Sequence, residues 1–407
     1  MVETAVRLLA PSEEMWARLG TVVGCSVRVR GPLDLAALSD AFEALRRRYC
    51  VLGMHLEAAE GGHMIVGPSA PLPGMSVCEG DIGDPLDGVD LDPGRVLSGL
   101  HVVRDGDRAS VTLLTYHSIA DGQYALAVLD DLWSLYTDMA QGNTVEAVSH
   151  GYPESLETLF AESGLGNAEP STPVAIDPGS VRSNATERQP VSNPVVRCLL
   201  DTVATTALVE FGRRQQVTVN GLVTAAILRT EADIKNVPIA EIPYCYVVDL
   251  RTRVIPAVAR TEVTNALGYA NFTASRATTA LADLARAVTA ELRSELAAGV
   301  VHQAALRFPE SFLKNGRPDT VPDTNWGRIP SLRSPAGVEF EDFRGIIHHN
   351  PRPDLAAAMR EMPYTPAYII TTFCGRLSIE HVETEPSNRE SARHRIAVLE
   401  SHLRSVA

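Results

Sequence analysis

His117, Asp121 and Gly122 stand together in TYHSIADG, residues 115–122. An imidazole that ionises near neutrality can take a proton from a hydroxyl or amine as that group attacks a carbonyl. An aspartate four residues on would not be the base. It would hold the turn through a salt bridge, and Gly122 would permit a tight backbone there. A metal site would need further ligands at suitable spacing, and no second His or Cys pair supplies them. His348 and His349 are adjacent, so in a strand they would point to opposite faces. No metal is therefore expected. The motif alone leaves two readings open: a general base, or a polar residue that closes a strand.

Other chemistries lack their signatures. No Gly-x4-Gly-Lys-Ser/Thr loop occurs, and GLG at 164–166 lacks both a third glycine and a preceding strand. No Gly-x-Ser-x-Gly elbow occurs either, so a serine hydrolase is unsupported. Covalent cysteine catalysis stays open in principle, although none of the six cysteines has an obviously electropositive setting.

The elements that must carry the motif are readable around it. SVTLL before it is β-prone, and QYALAVLDDLWSLYTD after it has a helical rhythm to about residue 140. GLHVVRDGDRASVTLLTY predicts a hairpin, with Asp105 and Gly106 in or beside its turn. TVVGCSVRV (21–29) predicts a strand. LDLAALSDAFEALRRRY (33–49) predicts a helix capped by Asp34, with Leu35, Leu38, Phe42, Leu45 and Tyr49 on one stripe. Residues 164–194 are rich in Pro, Ser, Asn and Gly and predict a linker. Beyond it VVRCLLDTVATTALVEFGRRQQ (195–216) predicts a strand followed by a helix and VTVNGLVTAAILRTEADI (217–234) another helix, with a strand at 244–251 and a helix at 279–299. A loop follows from about 308 to 337, then two strands and a terminal helix. This mixture predicts an α/β (α+β) chain of two comparable domains, 1–165 and 195–407, joined by 166–194.

Composition sets the outer bounds. Of 407 residues, 45% are apolar and 21% charged, as in a globular protein. The net charge of −14 would repel phosphates, so nucleic acid is not an expected partner. Several cysteines lie in apolar runs and none forms a CxxC pair, which predicts reduced thiols and a cytoplasmic protein. No window approaches 18 apolar residues, so no transmembrane helix is expected.

HSIADG resembles the His-x-x-x-Asp-Gly signature of the acyltransferase superfamily that includes chloramphenicol acetyltransferase, the plant alcohol acyltransferases and peptide-synthetase condensation domains. VVDLRTR (247–253) resembles the superfamily's Asp-x-Arg strand. DTNWG (323–327) keeps Asp323, Trp326 and Gly327 of the plant branch's Asp-Phe-Gly-Trp-Gly motif. Longer blocks, among them LTYHSIADGQYALAVLDDLWSLYTD, IPYCYVVDLRTRVIPAVARTEVTNALG and PSLRSPAGVEFEDFRG, are similar to polyketide-associated acyltransferases of the phthiocerol dimycocerosyl transferase type. These blocks run in order from near residue 20 to about 345.

That resemblance implies two chloramphenicol-acetyltransferase-like domains, each a mixed sheet with helices, around a central channel holding His117. It implies an O-acyltransferase with no bound cofactor. The donor would be acyl-CoA or an acyl-phosphopantetheine on a carrier protein or polyketide synthase. The acceptor would be a polyketide- or lipid-type alcohol. His117 would be the base, and Asp121 would pair with Arg251, with Arg253 as runner-up; the alternative is that Arg251 pairs with Asp249 or another local acid. Asp323, Trp326 and Gly327 would shape a loop. Asn325, Thr371 and Thr372 are candidates for oxyanion or channel contacts, and Arg328 and Arg333 for docking an acidic carrier. Many relatives have His-His at the start of the motif, whereas this chain has Tyr116-His117. A condensation-type amide-forming catalyst and a non-catalytic carrier-binding module are the rival readings. A monomer is expected.

Overall fold

The computed structural model describes residues 5–68, 70–146, 148–165, 195–275, 280–315, 320–350, 367–382 and 389–406. They fall into two compact units: Met1–Asn193 with Arg251–Ala266 and Ser331–Ala356, and Pro194–Leu250 with Leu267–Pro330 and Ala357–Ala407. Two stretches expected in the C-terminal domain, 251–266 and 331–350, therefore belong with the first unit.

The first unit holds β1 (Ala5–Leu8), α1 (Pro11–Arg18), β2 (Thr21–Arg30), α2 (Leu35–Arg48), β3 (His55–Ala59), β4 (Gly62–Val66), β5 (Ser76–Glu79), β6 (Ser98–Asp105), β7 (Arg108–Tyr116), α3 (Gly122–Ala140) and α4 (Leu156–Glu162). Its larger sheet has the order β12-β2-β7-β6-β5, where β12 is Glu339–His349. Asp34 caps α2, its carboxylate accepting from the amides of Ala36 and Ala37. Leu38, Phe42 and Leu45 of α2 and Leu126, Leu129 and Trp133 of α3 are wholly buried, which accounts for both helical stripes.

The second unit holds β8 (Val195–Leu200), α5 (Thr202–Gln215), α6 (Val219–Lys235), β9 (Tyr244–Asp249), β10 (Leu267–Phe272), α7 (Leu281–Ala297), α8 (Val300–Asn315), β11 (Val321–Arg328), β13 (Ala367–Phe373), β14 (Arg376–Val382) and α9 (Arg389–Arg404). Its sheet runs β10-β9-β11-β13-β14-β8 and mixes parallel with antiparallel pairs. The loop expected from 308 to 337 is corrected: α8 reaches into it and β11 occupies 321–328. Pro309 lies inside α8, so a residue that usually interrupts a helix disguised one. No helix among the described residues is long and apolar enough to cross a membrane.

Candidate active site

The strand-to-helix turn is built by three neighbours in the first unit. β7 ends at Tyr116, and the amide of His117 donates to the carbonyl of Thr21 at 2.8 Å, extending the β2–β7 pairing by one step. Asp121 then begins α3. Its Oδ1 accepts from the amides of Gln123 and Tyr124 at 3.1 and 2.9 Å, so it is the helix N-cap. Its Oδ2 accepts from Arg251 Nη1 at 2.7 Å and from the amide of Ala266 at 3.0 Å. Arg251 Nη2 donates to the carbonyl of Val263 at 2.9 Å. Asp121 thus ties the turn to the segment 251–266, with both charges buried.

That segment also fixes the imidazole. Asn265 Nδ2 donates to the backbone carbonyl of His117 at 2.8 Å, and its Oδ1 lies 2.9 Å from His117 Nδ1. The carbonyl can only accept, so the amide orientation is settled by its own partners. Oδ1 must therefore receive a proton from Nδ1, which leaves Nε2 with the lone pair. Trp16 stacks on the ring with centroids 4.0 Å apart and planes 3° from parallel. His117 is only 5% exposed. Burial pulls its pKa below the ordinary histidine value, partly offset by its own backbone carbonyl, the charge of Asp121 and Asn265.

Helix α1 is held against this segment by Glu13. Its buried carboxylate accepts from both terminal nitrogens of Arg7, from the amide of Ala10 and from Thr264 Oγ1. On the other side of Thr21 lies His349, whose Nδ1 is 2.9 Å from Thr21 Oγ1. Sequence reasoning named none of Glu13, Trp16, Thr264 or Asn265 as site residues. No spacing rule links position 16 or 265 to position 117, and only the sheet and the returning segment bring them together.

Tyr116 is buried, and burial raises its phenol pKa far above the usual value. Gly122 opens α3 as its first helical residue. Arg253 is exposed, and Arg251 is the arginine that reaches Asp121. Arg333 lies in the first unit and pairs with Asp138 at 2.7 Å. Asp323, Asn325, Trp326, Gly327 and Arg328 lie on β11 in the second unit, so their expected placement on a loop is corrected. Asn325 Oδ1 accepts from the amide of Gly327 at 2.8 Å, and its Nδ2 donates to Asn220. Gly327 has φ of +74°, at a register shift between β11 and β13, where a side chain would be strained. Thr371 and Thr372 lie on β13. Thr371 is buried, and its hydroxyl makes no hydrogen bond among the described residues. Among the described residues, no three His, Cys, Asp or Glu side chains gather as metal ligands would.

Asp323 accepts a 2.7 Å hydrogen bond from the Tyr244 hydroxyl. Burial pushes its pKa up to about 7, with Tyr244 pulling it back down. Its folded pKa lies above the ordinary carboxylate value of about 4. The stability it contributes is therefore present at low pH and is lost as pH rises from about 4 to 7. Asp323→Asn is expected to flatten this part of the stability–pH curve in urea titrations. An unaltered slope would refute the assignment.

Comparison with known proteins adds a family to this geometry. Residues 189–382 match the family model described as phthiocerol/phthiodiolone dimycocerosyl transferase C-terminus. The phthiocerol/phthiodiolone dimycocerosyl transferase of Mycobacterium bovis (strain BCG) is 34% identical over 399 residues, covering 93% of this chain and 92% of that one. The solved structure of polyketide synthase associated protein 5 from Mycobacterium tuberculosis is 32% identical, with a TM-score of 0.81 over 99% of this chain and 98% of its own. The first condensation domain of the CDA synthetase shares the fold at a TM-score of 0.65 and 16% identity, over 99% of this chain and 97% of its own.

Proposed function

The chain belongs to the phthiocerol/phthiodiolone dimycocerosyl transferase family and is an acyltransferase, and from that premise we propose that it carries an acyl group from a thioester to a lipid-type alcohol with His117 as general base. The observation that carries the proposal is the imidazole itself: Nδ1 committed to Asn265, Nε2 left with its lone pair, in a buried setting that keeps the ring neutral. Nε2 takes the acceptor hydroxyl proton as the oxygen attacks the thioester carbonyl carbon. The tetrahedral adduct then collapses, the carbon–sulfur bond breaks, and the imidazolium returns the proton to the departing thiolate. The products are an ester, a free thiol and the starting form of the enzyme.

The relatives are named for acyl transfer to phthiocerol or phthiodiolone, which supports an alcohol acceptor. One structural relative is named as polyketide-synthase-associated, which supports a carrier-bound donor, with acyl-CoA as a chemically equivalent thioester. Docking of an acidic carrier by Arg328 of the second unit or, separately, by Arg333 of the first belongs to the same proposal. Incubation with an acyl-CoA series and an acyl-loaded carrier domain, each with simple alcohols and amines, tests it by mass detection of products. Ester and free thiol in equal amounts are expected. Amide alone would reverse the acceptor class, and no turnover of any thioester would end the proposal.

The same assay has a pH signature. Activity needs neutral His117, whose pKa is held below the ordinary value by burial. The acid limb of kcat/KM is therefore expected below about 6.5. A limb at or above that value would contradict the buried base.

A further inference from the structure

Resting on the reading of His117 as base, we propose that Trp16 is a positioning residue that stabilises the imidazolium formed when His117 takes the acceptor's proton. The geometry is a face-to-face stack, with centroids 4.0 Å apart and planes at 3°. A cation over an indole face is attracted by the ring's quadrupole, and the attraction grows when water is excluded. His117 is nearly buried, so the indole face acts in a poorly hydrated place.

The charge that forms on His117 has few other partners. Its Nδ1 meets the neutral amide of Asn265, where a carboxylate would have offered a full charge. Asp121, at the N-terminus of α3, attracts the imidazolium, but its own carboxylate is committed to Arg251 and to backbone amides. His349, at the end of β12, interacts repulsively with His117 when both are charged. Burial opposes the charge throughout. The His117 backbone carbonyl and the Asn265 amide favour the charged ring from its edge, and the indole favours it from its face.

The stack is also built to stay. Glu13 and Trp16 are three residues apart on α1, so they share a face of the helix. The buried Glu13 carboxylate is bound to Arg7, Ala10 and Thr264. Asn265, the next residue after Thr264, holds the edge of the same imidazole. One crossing segment therefore sets both the edge contact and the placement of the ring above it.

The test separates electrostatics from simple cover. Tryptophans carrying increasing numbers of ring fluorines, placed at position 16, keep the shape and weaken the π face. Trp16→Leu, beside Trp16→Phe, keeps an apolar cover and removes the face. The His117 titration is followed by NMR in the full chain with labelled histidine, and kcat is followed with an acyl-CoA and an alcohol. The His117 pKa is expected to fall stepwise with fluorination, by about half a unit to one unit in Trp16→Leu. The kcat should fall by up to about three- to tenfold, the pKa change converted to a rate, with the donor KM unchanged. Trp16→Phe should lie between Leu and the native residue. A His117 pKa and kcat that do not move along the fluorinated series would overturn the proposal, whether or not the leucine variant folds. Failure of the base reading would show separately, as His117→Ala retaining activity.

Discussion

His117→Ala is expected to lower kcat for acyl transfer by about 10²–10⁴, the contribution of a positioned general base. The donor KM should change little, because the lost group acts on a proton rather than on binding. Asn265→Ala should fall between this variant and the native protein. It keeps the imidazole but frees Nδ1, so both tautomers become available and only one leaves the lone pair on Nε2. Asn265→Asp makes a sharper comparison. A carboxylate on Nδ1 would raise the His117 pKa and move the acid limb of kcat/KM upward. The alanine variant must be shown to fold, since His117 is buried and stacked on Trp16. With matched unfolding curves, undiminished ester formation by His117→Ala would remove the base from the mechanism.

What the sequence disclosed of this arrangement was what is local. The stripes of α2 and α3 were legible because burial repeats with the period of the helix. So was the cap at Asp34, an acidic residue directly before a periodic run. The same rule marks Asp121 as a cap of α3, yet its spacing from His117 drew attention to a salt bridge instead, and the residue does both. What was not legible depends on distant pairing. β12 carries Glu339, Glu341, Asp342 and Arg344 with a register shift near its start, so it shows no clean apolar alternation. Its charges are answered across the sheet, Glu341 by Arg108 at 2.5 Å. A strand that satisfies its polar groups with neighbours from another part of the chain looks like a loop until those neighbours are known. The two compact units are discontinuous for the same reason. The pairing of β12 with β2 and the locking of 251–266 to α1 and α3 outweigh chain order.

Asp121→Asn is expected to cost about 3–5 kcal/mol of stability, the usual consequence of removing one partner from a buried ion pair. The native carboxylate spends all its accepting capacity: two bonds to the amides that open α3, one to Arg251 and one to Ala266. An asparagine can present its oxygen to only one of these pairs. If it keeps the cap, its Nδ2 faces the N–H groups of Arg251 and Ala266, donor against donor, and a buried guanidinium loses its countercharge. If it keeps Arg251, the first turn of α3 loses its cap, worth about 1 kcal/mol. Arg251→Met alone leaves the complementary fault, a buried carboxylate facing an apolar side chain. The double variant removes both charges, and its loss should be smaller than the sum of the two single losses, a coupling that urea unfolding of the four proteins would measure. The same substitutions should depress kcat, since Asp121 and Arg251 both anchor the segment on which Asn265 holds the imidazole. The ordering of effects is what distinguishes support from chemistry. An Asp121→Asn protein that unfolds at the native midpoint while losing transfer would place Asp121 among the reacting groups. A destabilised protein whose residual activity follows its folded fraction would leave proton transfer to His117 and the holding of the turn to Asp121.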